Sequence, residues 1–415
     1  MLKLRRLRID KFRSVAPGTE LRFSDGFNVL LGQNGTGKTT LLELISMVVR
    51  SNFQSLAKEE LAIEYELEKS GEGTLVVVIR NEQAIEQVQP PLLVGAPETF
   101  RSSAEIRGEP SSSGQQSLIR YNAETGLHVG DKPPYGPLGI PSCMDPGFLF
   151  FYLLKDLTLA RFAQSVIVAG RAQRFDESLE LFARITDSSG FPGELLRLAR
   201  GPFIPGSFAP PLVPDAMLRK LEGMYKPTRS DYALAHQDLD FLSEIKDVMG
   251  FASAELKVDV IERHPVNGAS ERVKLGNLVF RFWWEGGDFI THSRLSYGQK
   301  RLLTFFYYLA SNPDFVIADE LVNGLHHRWI AASVEAIGQR QAFLTSQNPL
   351  LFDYLPLASP EEVRSSFVLC RSEPRDGRPG WAWENMSEED AAELFAAHEV
   401  GIEHVSEILQ SRGLW

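Results

Sequence analysis

The chain has 415 residues, more than one compact core usually holds, and its 43% hydrophobic and 23% charged residues are ordinary for a globular protein. A formal net charge of -11 argues against a protein that coats nucleic acid by bulk charge, while leaving room for a local basic groove. Cys143 and Cys370 are far apart and lack metal-type spacing, and no apolar run has the length of a signal sequence or a bilayer span, so a soluble, cytoplasmic chain with no disulfide framework and no membrane partner is expected.

The opening segment Leu2 to Phe12 alternates apolar residues with basic ones and predicts a strand. Its basic set (Lys3, Arg5, Arg6, Arg8, Lys11, Arg13, with Arg22 beyond) reads as the outer face of that strand, the alternative being a groove for nucleic acid. A turn at Ala16-Pro17-Gly18 leads to a strand at Glu20 to Phe23. Phe27 to Leu31 is a short buried-type run, and Thr39 to Arg50 has helical spacing. Leu61 to Glu68 and Thr74 to Arg80 predict an antiparallel meander. Residues 87–146 are rich in Pro, Gly and Ser and read as a loop-rich insertion with one strand at Ser117 to Tyr121. Between Phe148 and Gly250 the spacing predicts mainly helix: Asp176 to Thr186, Pro192 to Arg200, Ala216 to Gly223 and Tyr232 to Val248. Strands return at Glu255 to Glu262, Leu278 to Trp284 and Phe289 to Thr291. They are followed by a helix from Ser296 to Ser311, a strand at Phe315 to Ala318, a helix at Arg328 to Gly338 and a strand at Ala342 to Thr345. A tail helix is expected from Ser387 to Leu414, its docking face formed by Phe395, Val400, Val405, Ile408 and Trp415.

Three motifs carry chemistry. Gly32-Gln33-Asn34-Gly35-Thr36-Gly37-Lys38-Thr39 is G-x-x-x-x-G-K-[ST] between a strand and a helix. Glycines let the backbone N–H groups wrap phosphates, the helix points its positive end at them, Lys38 reaches the β- and γ-phosphates, and the Thr39 hydroxyl ligates Mg²⁺, with Thr40 next to it. Phe315 to Ala318 ends in Asp319-Glu320, where Asp319 would hold Mg²⁺ through water and Glu320 would polarise the attacking water. Leu295-Ser296-Tyr297-Gly298-Gln299-Lys300 opens a helix just before that acidic strand. Its plain reading is a Ser N-cap completed by Gln299, and both readings can hold together.

With those residues in view, the chain resembles the ABC-type ATPases, whose signature begins LSxGQ. The resemblance implies that Ser296, Gly298 and Gln299 meet the γ-phosphate bound by a second subunit. Ile9-Asp10-Lys11-Phe12-Arg13-Ser14 resembles the opening of the SMC-like and RecF-like branch, which implies that Arg13 lies near the nucleotide. Asp319-Glu320 running into Asn323-Gly324-Leu325-His326 resembles the OLD-like ABC ATPases. The resemblance covers about 1–80 and 255–355; the middle carries none. The family places a histidine where Gln347 stands, in Leu344-Thr345-Ser346-Gln347-Asn348-Pro349, and glutamine can donate a hydrogen bond but carries no charge, which implies slow turnover. The glutamine that couples Mg²⁺ to the helical lobe is Gln54, Gln164 or Gln173, undecided at this level.

Other residues weigh less. His326-His327 reads as a dimer-contact loop rather than a metal site, His398 and His404 as surface or packing residues, Asp238 and Asp240 as a solvated helix face, and Phe282-Trp283-Trp284 as core. The expected architecture is α/β: an ABC ATPase head with a P-loop parallel or mixed sheet, an antiparallel N-terminal sheet and a largely helical insertion. Its segments are 1–85 (phosphate-loop part of the head), 86–147 (loop-rich insertion), 148–250 (helical lobe), 251–370 (signature, acidic strand and switch) and 371–415 (tail). Such a chain is expected to bind ATP and Mg²⁺ and to pair, as a homodimer or higher homo-oligomer, through its ATP sites. Its expected role is control of a separate effector protein in antiphage defence. The alternatives are DNA repair or maintenance with nucleic acid bound, or an ATP-holding scaffold with little turnover.

Overall fold

The computed structural model describes residues 1–83, 100–108, 116–122, 125–130, 143–156, 158–186, 195–198, 203–205, 213–224, 226, 228–267, 270–348, 350–374, 379–400 and 405–411. The chain divides into two compact units. The first comprises Met1–Ala172, Gln339–Thr345 and Pro356–Trp415, and the second comprises Gln173–Gly338 and Ser346–Leu355.

The first unit carries a seven-stranded antiparallel sheet. Its strands lie in the order Thr19–Arg22, Leu2–Phe12, Leu61–Lys69, Gly73–Gln83, Phe100–Gly108, Gln116–Asn122, Gly126–Val129. Alternation buries Leu2, Leu4, Leu7, Ile9 and Phe12, and a register shift between Leu4 and Arg6 lets Arg5 and Arg6 both escape the core. The basic set of the first strand is spent within the sheet and its margins. Arg6 pairs with Glu64 at 2.5 Å, Arg5 with Glu68 and Asp25, Arg8 with Asp10, Lys11 with Glu60, Arg13 with Glu59 and Arg22 with Glu20. Lys3 donates to the carbonyls of Asp25 and Gln339. Ion pairing continues outward, where Glu105 meets Arg107 of its own strand at 2.7 Å and Arg120 of the next strand at 3.0 Å.

A second group of strands in this unit holds the phosphate loop. Gln341–Leu344, Phe27–Leu31 and Phe367–Ser372 run parallel in that order, and Trp381–Asn385 adds antiparallel to the last. All five residues of Phe27–Leu31 are buried, as befits a parallel strand covered on both faces. Two amides sit in this dry setting with their hydrogen bonds satisfied. Gln341 donates to Leu4 O and Ser24 O and accepts from Leu4 N–H, while Asn28 donates to Ala342 O and accepts from Ser24 N–H. The helix Lys38–Arg50 packs Leu41, Leu42, Leu44, Ile45, Val48 and Val49 inward. It ends at Ser51, which adopts φ 49° and accepts a 2.9 Å hydrogen bond from the Tyr65 hydroxyl.

The second unit is built on an antiparallel sheet in the order Phe203–Pro205, Leu195–Leu198, Ser270–Trp283, Ser253–Asn267, Asp231–Ala235, with Phe289–Thr291 beside Ser270–Trp283. Aromatic rings glue the helices to it. Tyr307 of the helix Tyr297–Ser311 meets Phe182 at 5.2 Å, Phe241 at 5.5 Å and Phe280 at 6.1 Å, and Phe305 meets Phe175 at 5.3 Å. Tyr297–Ser311, at 15 residues, is the longest helix among the described residues, so none of them forms a long coiled coil.

Several elements differ from expectation. The segment 86–147 contributes three strands to the first sheet; Phe100–Gly108 escapes notice because its inward positions include only a small Ala104 beside Ile106. The segment 148–250 is not all helix. Leu195–Leu198 and Asp231–Ala235 are strands, since pairing with the long hairpin overrides the helical preference of Leu and Ala. The tail is two helices, Glu388–Val400 and Val405–Ser411, and its buried residues are Ala391, Leu394, Val405 and Leu409, with Phe395 half-buried; Trp415 and His404 lie outside the described residues. Of Phe282-Trp283-Trp284 only Phe282 is fully core, and Trp284 is 44% exposed at the strand end.

Candidate functional site

The phosphate loop leaves the buried strand at Leu31 and must turn at once beneath its neighbour. Gly32 has φ 143°, and a Cβ there would lie 2.1 Å from the Cys370 carbonyl oxygen. Gly35 and Gly37 follow with φ 85° and 83°, the left-handed region that glycine enters without penalty. A Cβ at Gly37 would also strike the Trp381 indole at 2.8 Å. Three glycines are therefore obligatory for shape, and the loop they make is open: Gln33, Asn34, Gly35 and Thr39 are exposed, while Lys38 and Thr40 are partly so. Lys38 Nζ donates to the carbonyls of Gly32 at 2.6 Å and Gln33 at 2.9 Å, contacts that an incoming phosphate can replace. Thr36 is buried, its hydroxyl donating to Gln33 O at 2.7 Å. Cys370, behind the loop, is a buried free thiol whose pKa burial pushes up to about 12.

Arg13 belongs to the same unit. It stands just after the first strand with φ 45°, and its guanidinium grips Glu59 through two hydrogen bonds of 2.9 and 3.1 Å. That pairing, against a smaller opposing effect of burial, raises its already high pKa.

In the second unit the strand Phe315–Ala318 is buried throughout and delivers Asp319 and Glu320 at its end, both partly exposed. Glu320 adopts φ 52°, an unfavourable conformation for a residue with a Cβ. Two groups hold it there. Its Oε2 accepts the Gln347 backbone N–H at 3.0 Å, and its carbonyl accepts from Arg301, which also donates to Leu321 O at 3.1 Å. Arg301 is a buried cation on the helix Tyr297–Ser311, roofed by the Phe175 ring at 5.1 Å. The same helix supplies the Tyr308 hydroxyl, which accepts from Ile317 N–H and donates to Gln173 O, each at 2.9 Å. Gln347 itself is exposed, so its main chain rather than its side chain touches the Glu320 carboxylate.

Ser296 caps the helix Tyr297–Ser311. Its Oγ accepts Gln299 N–H at 3.3 Å while Gln299 Oε1 accepts Ser296 N–H at 2.9 Å, a reciprocal capping box. Ser296 is nevertheless exposed, and its hydroxyl proton is free to be donated outward. Gly298 is buried: a Cβ there would meet the Gly324 carbonyl at 2.8 Å and Trp329 at 3.0 Å. Tyr297, 69% exposed, lays its ring against Gly324, so the turn Asn323-Gly324-Leu325-His326 is moulded on the start of this helix.

Of the three glutamines, Gln54 donates weakly to Asp145, Gln164 is exposed, and Gln173 lies beside the acidic strand, since Arg174 bridges Ile317. The His326 and His327 rings lie tilted at 46° with centroids 4.0 Å apart, and among the described residues no group of three or more His, Cys, Asp and Glu converges as a metal site. Asp238 pairs with Lys220 at 3.0 Å and caps a short turn. Arg301, Tyr308, Trp381 and Trp383 were not anticipated. The signal for Arg301 is a cation that directly precedes the mainly apolar run Leu302 to Leu309, and for the tryptophans a Trp-x-Trp alternation.

Comparisons with known proteins bear on both units. A family model described as "AAA domain" matches residues 6–113, and one described as "AAA domain, putative AbiEii toxin, Type IV TA system" matches residues 174–353. The DNA replication and repair protein RecF of Shewanella loihica is 50% identical over 44 residues, which span 11% of this chain and 12% of that protein. Among solved structures, an SMC head bound to the C-winged helix domain of ScpA shares 11% identity (TM-score 0.43), with 92% of this chain and 98% of that one covered. The SMC head domain from Thermotoga maritima shares 12% (TM-score 0.38), with 93% and 99% covered. Among the described residues no helix is long and apolar enough to cross a membrane. The glycine cradle lies within the first AAA-domain match, and the serine-capped helix and the acidic strand lie within the second, so each half of the expected nucleotide machinery falls inside a region similar to an AAA domain.

Proposed function

We propose that the chain is a nucleotide-gated clamp: it binds ATP with Mg²⁺, pairs with a second copy around the nucleotide, and hydrolyses ATP to release the pair. The observation that carries this reading is Ser296. It is exposed at the positive end of a helix fixed by an aromatic core, and its oxygen caps that helix while its hydroxyl proton is left to donate, so an anion presented by another molecule suits it as a ligand. Gly32 to Thr39 cradle the triphosphate through backbone N–H groups, and Lys38 exchanges its loop carbonyls for phosphate oxygens. Thr39 and Asp319 offer the hydroxyl and carboxylate oxygens that suit a hard divalent cation and would hold Mg²⁺, which when bound neutralises charge on the phosphates. Glu320, strained and held by Gln347 N–H, orients a water and takes its proton. Gln173, beside the acidic strand, is the glutamine best placed to sense the occupied state.

The biological reading we favour is control of a separate effector in a defence or toxin–antitoxin setting, supported by the AbiEii description of the model over 174–353. A role in DNA repair is supported by the RecF match, although the basic residues of the first strand are engaged within the chain and offer duplex little free charge. Glu320→Gln should bind ATP and remain paired, doubling the mass seen by light scattering with ATP but not with ADP. A monomer that binds ATP tightly would sink the clamp. If salt-sensitive duplex binding required ATP, the repair role would take precedence.

A further inference from the structure

The strand Trp381–Asn385 sets Trp383 opposite Cys370 and Trp381 opposite Ser372. Two residues apart on a strand, the indoles leave the same face, and they stack 5.9 Å apart at 13°. Both donate to the phosphate loop: Trp381 Nε1 to the Gly35 carbonyl at 3.1 Å, and Trp383 Nε1 to the Thr36 carbonyl at 3.2 Å. Neither indole is loose. Trp383 is buried against Phe12, 6.5 Å between centroids. The Trp381 backbone donates to Ser14 O at 2.9 Å and accepts from Ala16 N–H at 3.1 Å, while its ring packs on Gly37.

In a trans peptide the C=O and the following N–H point in opposite directions. An indole that pulls the Gly35 carbonyl backward turns the Thr36 N–H forward, and one that pulls the Thr36 carbonyl does the same for the Gly37 N–H. The Thr36 N–H keeps only a long 3.4 Å turn contact to Gln33 O, which a phosphate oxygen can displace. We infer that Trp381 and Trp383 are positioning residues that pre-aim the phosphate loop's amides at the nucleotide. The inference rests on reading Gly32 to Thr39 as the ATP site. It adds that the C-terminal strand, distant in sequence, sets nucleotide affinity.

The test removes the N–H and keeps the ring: Trp381→Phe, Trp383→Phe and the pair, with Lys38→Ala as reference, in the full chain. Losing one such hydrogen bond should raise the Kd for ATP and for ADP by the same factor, up to roughly tenfold per tryptophan, while kcat at saturating ATP stays within about twofold. Equal loss for ATP and ADP, with unchanged kcat, marks uniform loop binding rather than a role in the chemical step. Variants that bind ATP like the wild type but melt earlier would make the indoles merely structural and overturn the inference. Should Trp383→Phe not fold, because its ring is buried, Trp381→Phe decides by the same Kd. If wild type binds ATP no better than Lys38→Ala, the loop assignment itself has failed and the inference falls with it; a binding wild type with indifferent tryptophans sinks the inference alone.

Discussion

Ser296 does two jobs with one oxygen, and substitutions can separate them. Its Oγ accepts Gln299 N–H to cap the helix, while its hydroxyl proton is left to donate at an exposed position. Ser296→Ala loses both, and should cost about 1 kcal/mol of stability as well as ATP-driven pairing. Aspartate is as good a cap as serine, so Ser296→Asp should melt near the wild-type temperature. It carries a negative charge to the point where a partner's γ-phosphate would arrive, and pairing should be abolished. Thermal melts beside light scattering with ATP read the two effects separately. If Ser296→Asp pairs as well as the wild type, this hydroxyl meets no phosphate.

At the scale of elements, the outer face of the seven-stranded sheet is a ladder of ion pairs rather than a basic stripe. Glu105 shows its strength. Burial would raise its pKa, but hydrogen bonds from Arg107, Ser117 and Arg120 and the nearby Arg107 charge prevail and hold it at about 2, against an ordinary 4.5. A carboxylate depressed in the folded state stabilises fully above its unfolded pKa, and that contribution fades as pH falls from 4.5 towards 2. Glu105→Gln should therefore melt below the wild type at pH 7, and the gap should close on acidification through that window. A gap that is constant with pH would mean the ladder contributes nothing through charge. This ladder also shows what the sequence can and cannot carry. The alternation of Leu2 to Phe12 reveals a strand and an outward basic face, and the glycine spacing of Gly32 to Thr39 reveals the loop. Glutamates that neutralise such a face sit on neighbouring strands, and only the register Arg6↔Glu66 and Glu105↔Arg120 brings them opposite. Trp381 and Trp383 were silent for the same reason: their partners Gly35 and Thr36 lie some 346 and 347 positions away. Local pattern writes elements; pairing across the chain writes their chemistry.

For the whole molecule, the proposal that matters is where one ATP site ends and the next begins. If a complete site takes its cradle from one protomer and its serine from the other, two differently crippled chains should repair each other. Lys38→Ala keeps a working signature but lacks a cradle, and Ser296→Asp keeps a cradle but lacks a signature. Alone, each should neither pair with ATP nor turn it over. In a two-fold mixed pair, the cradle of one faces the signature of the other at one interface, while the second interface is doubly broken. With random mixing, half the pairs are mixed and each has one of two sites intact, so turnover should recover to at most about a quarter of the wild type. Recovery should follow the product of the two chains' concentrations, and ATP-dependent pairing should return with it. A site contained within one chain predicts a mixture as inert as its parts, because neither chain alone holds all the groups. Differentially labelled chains that never form a mixed pair on adding ATP, at any ratio, would rule out the shared site.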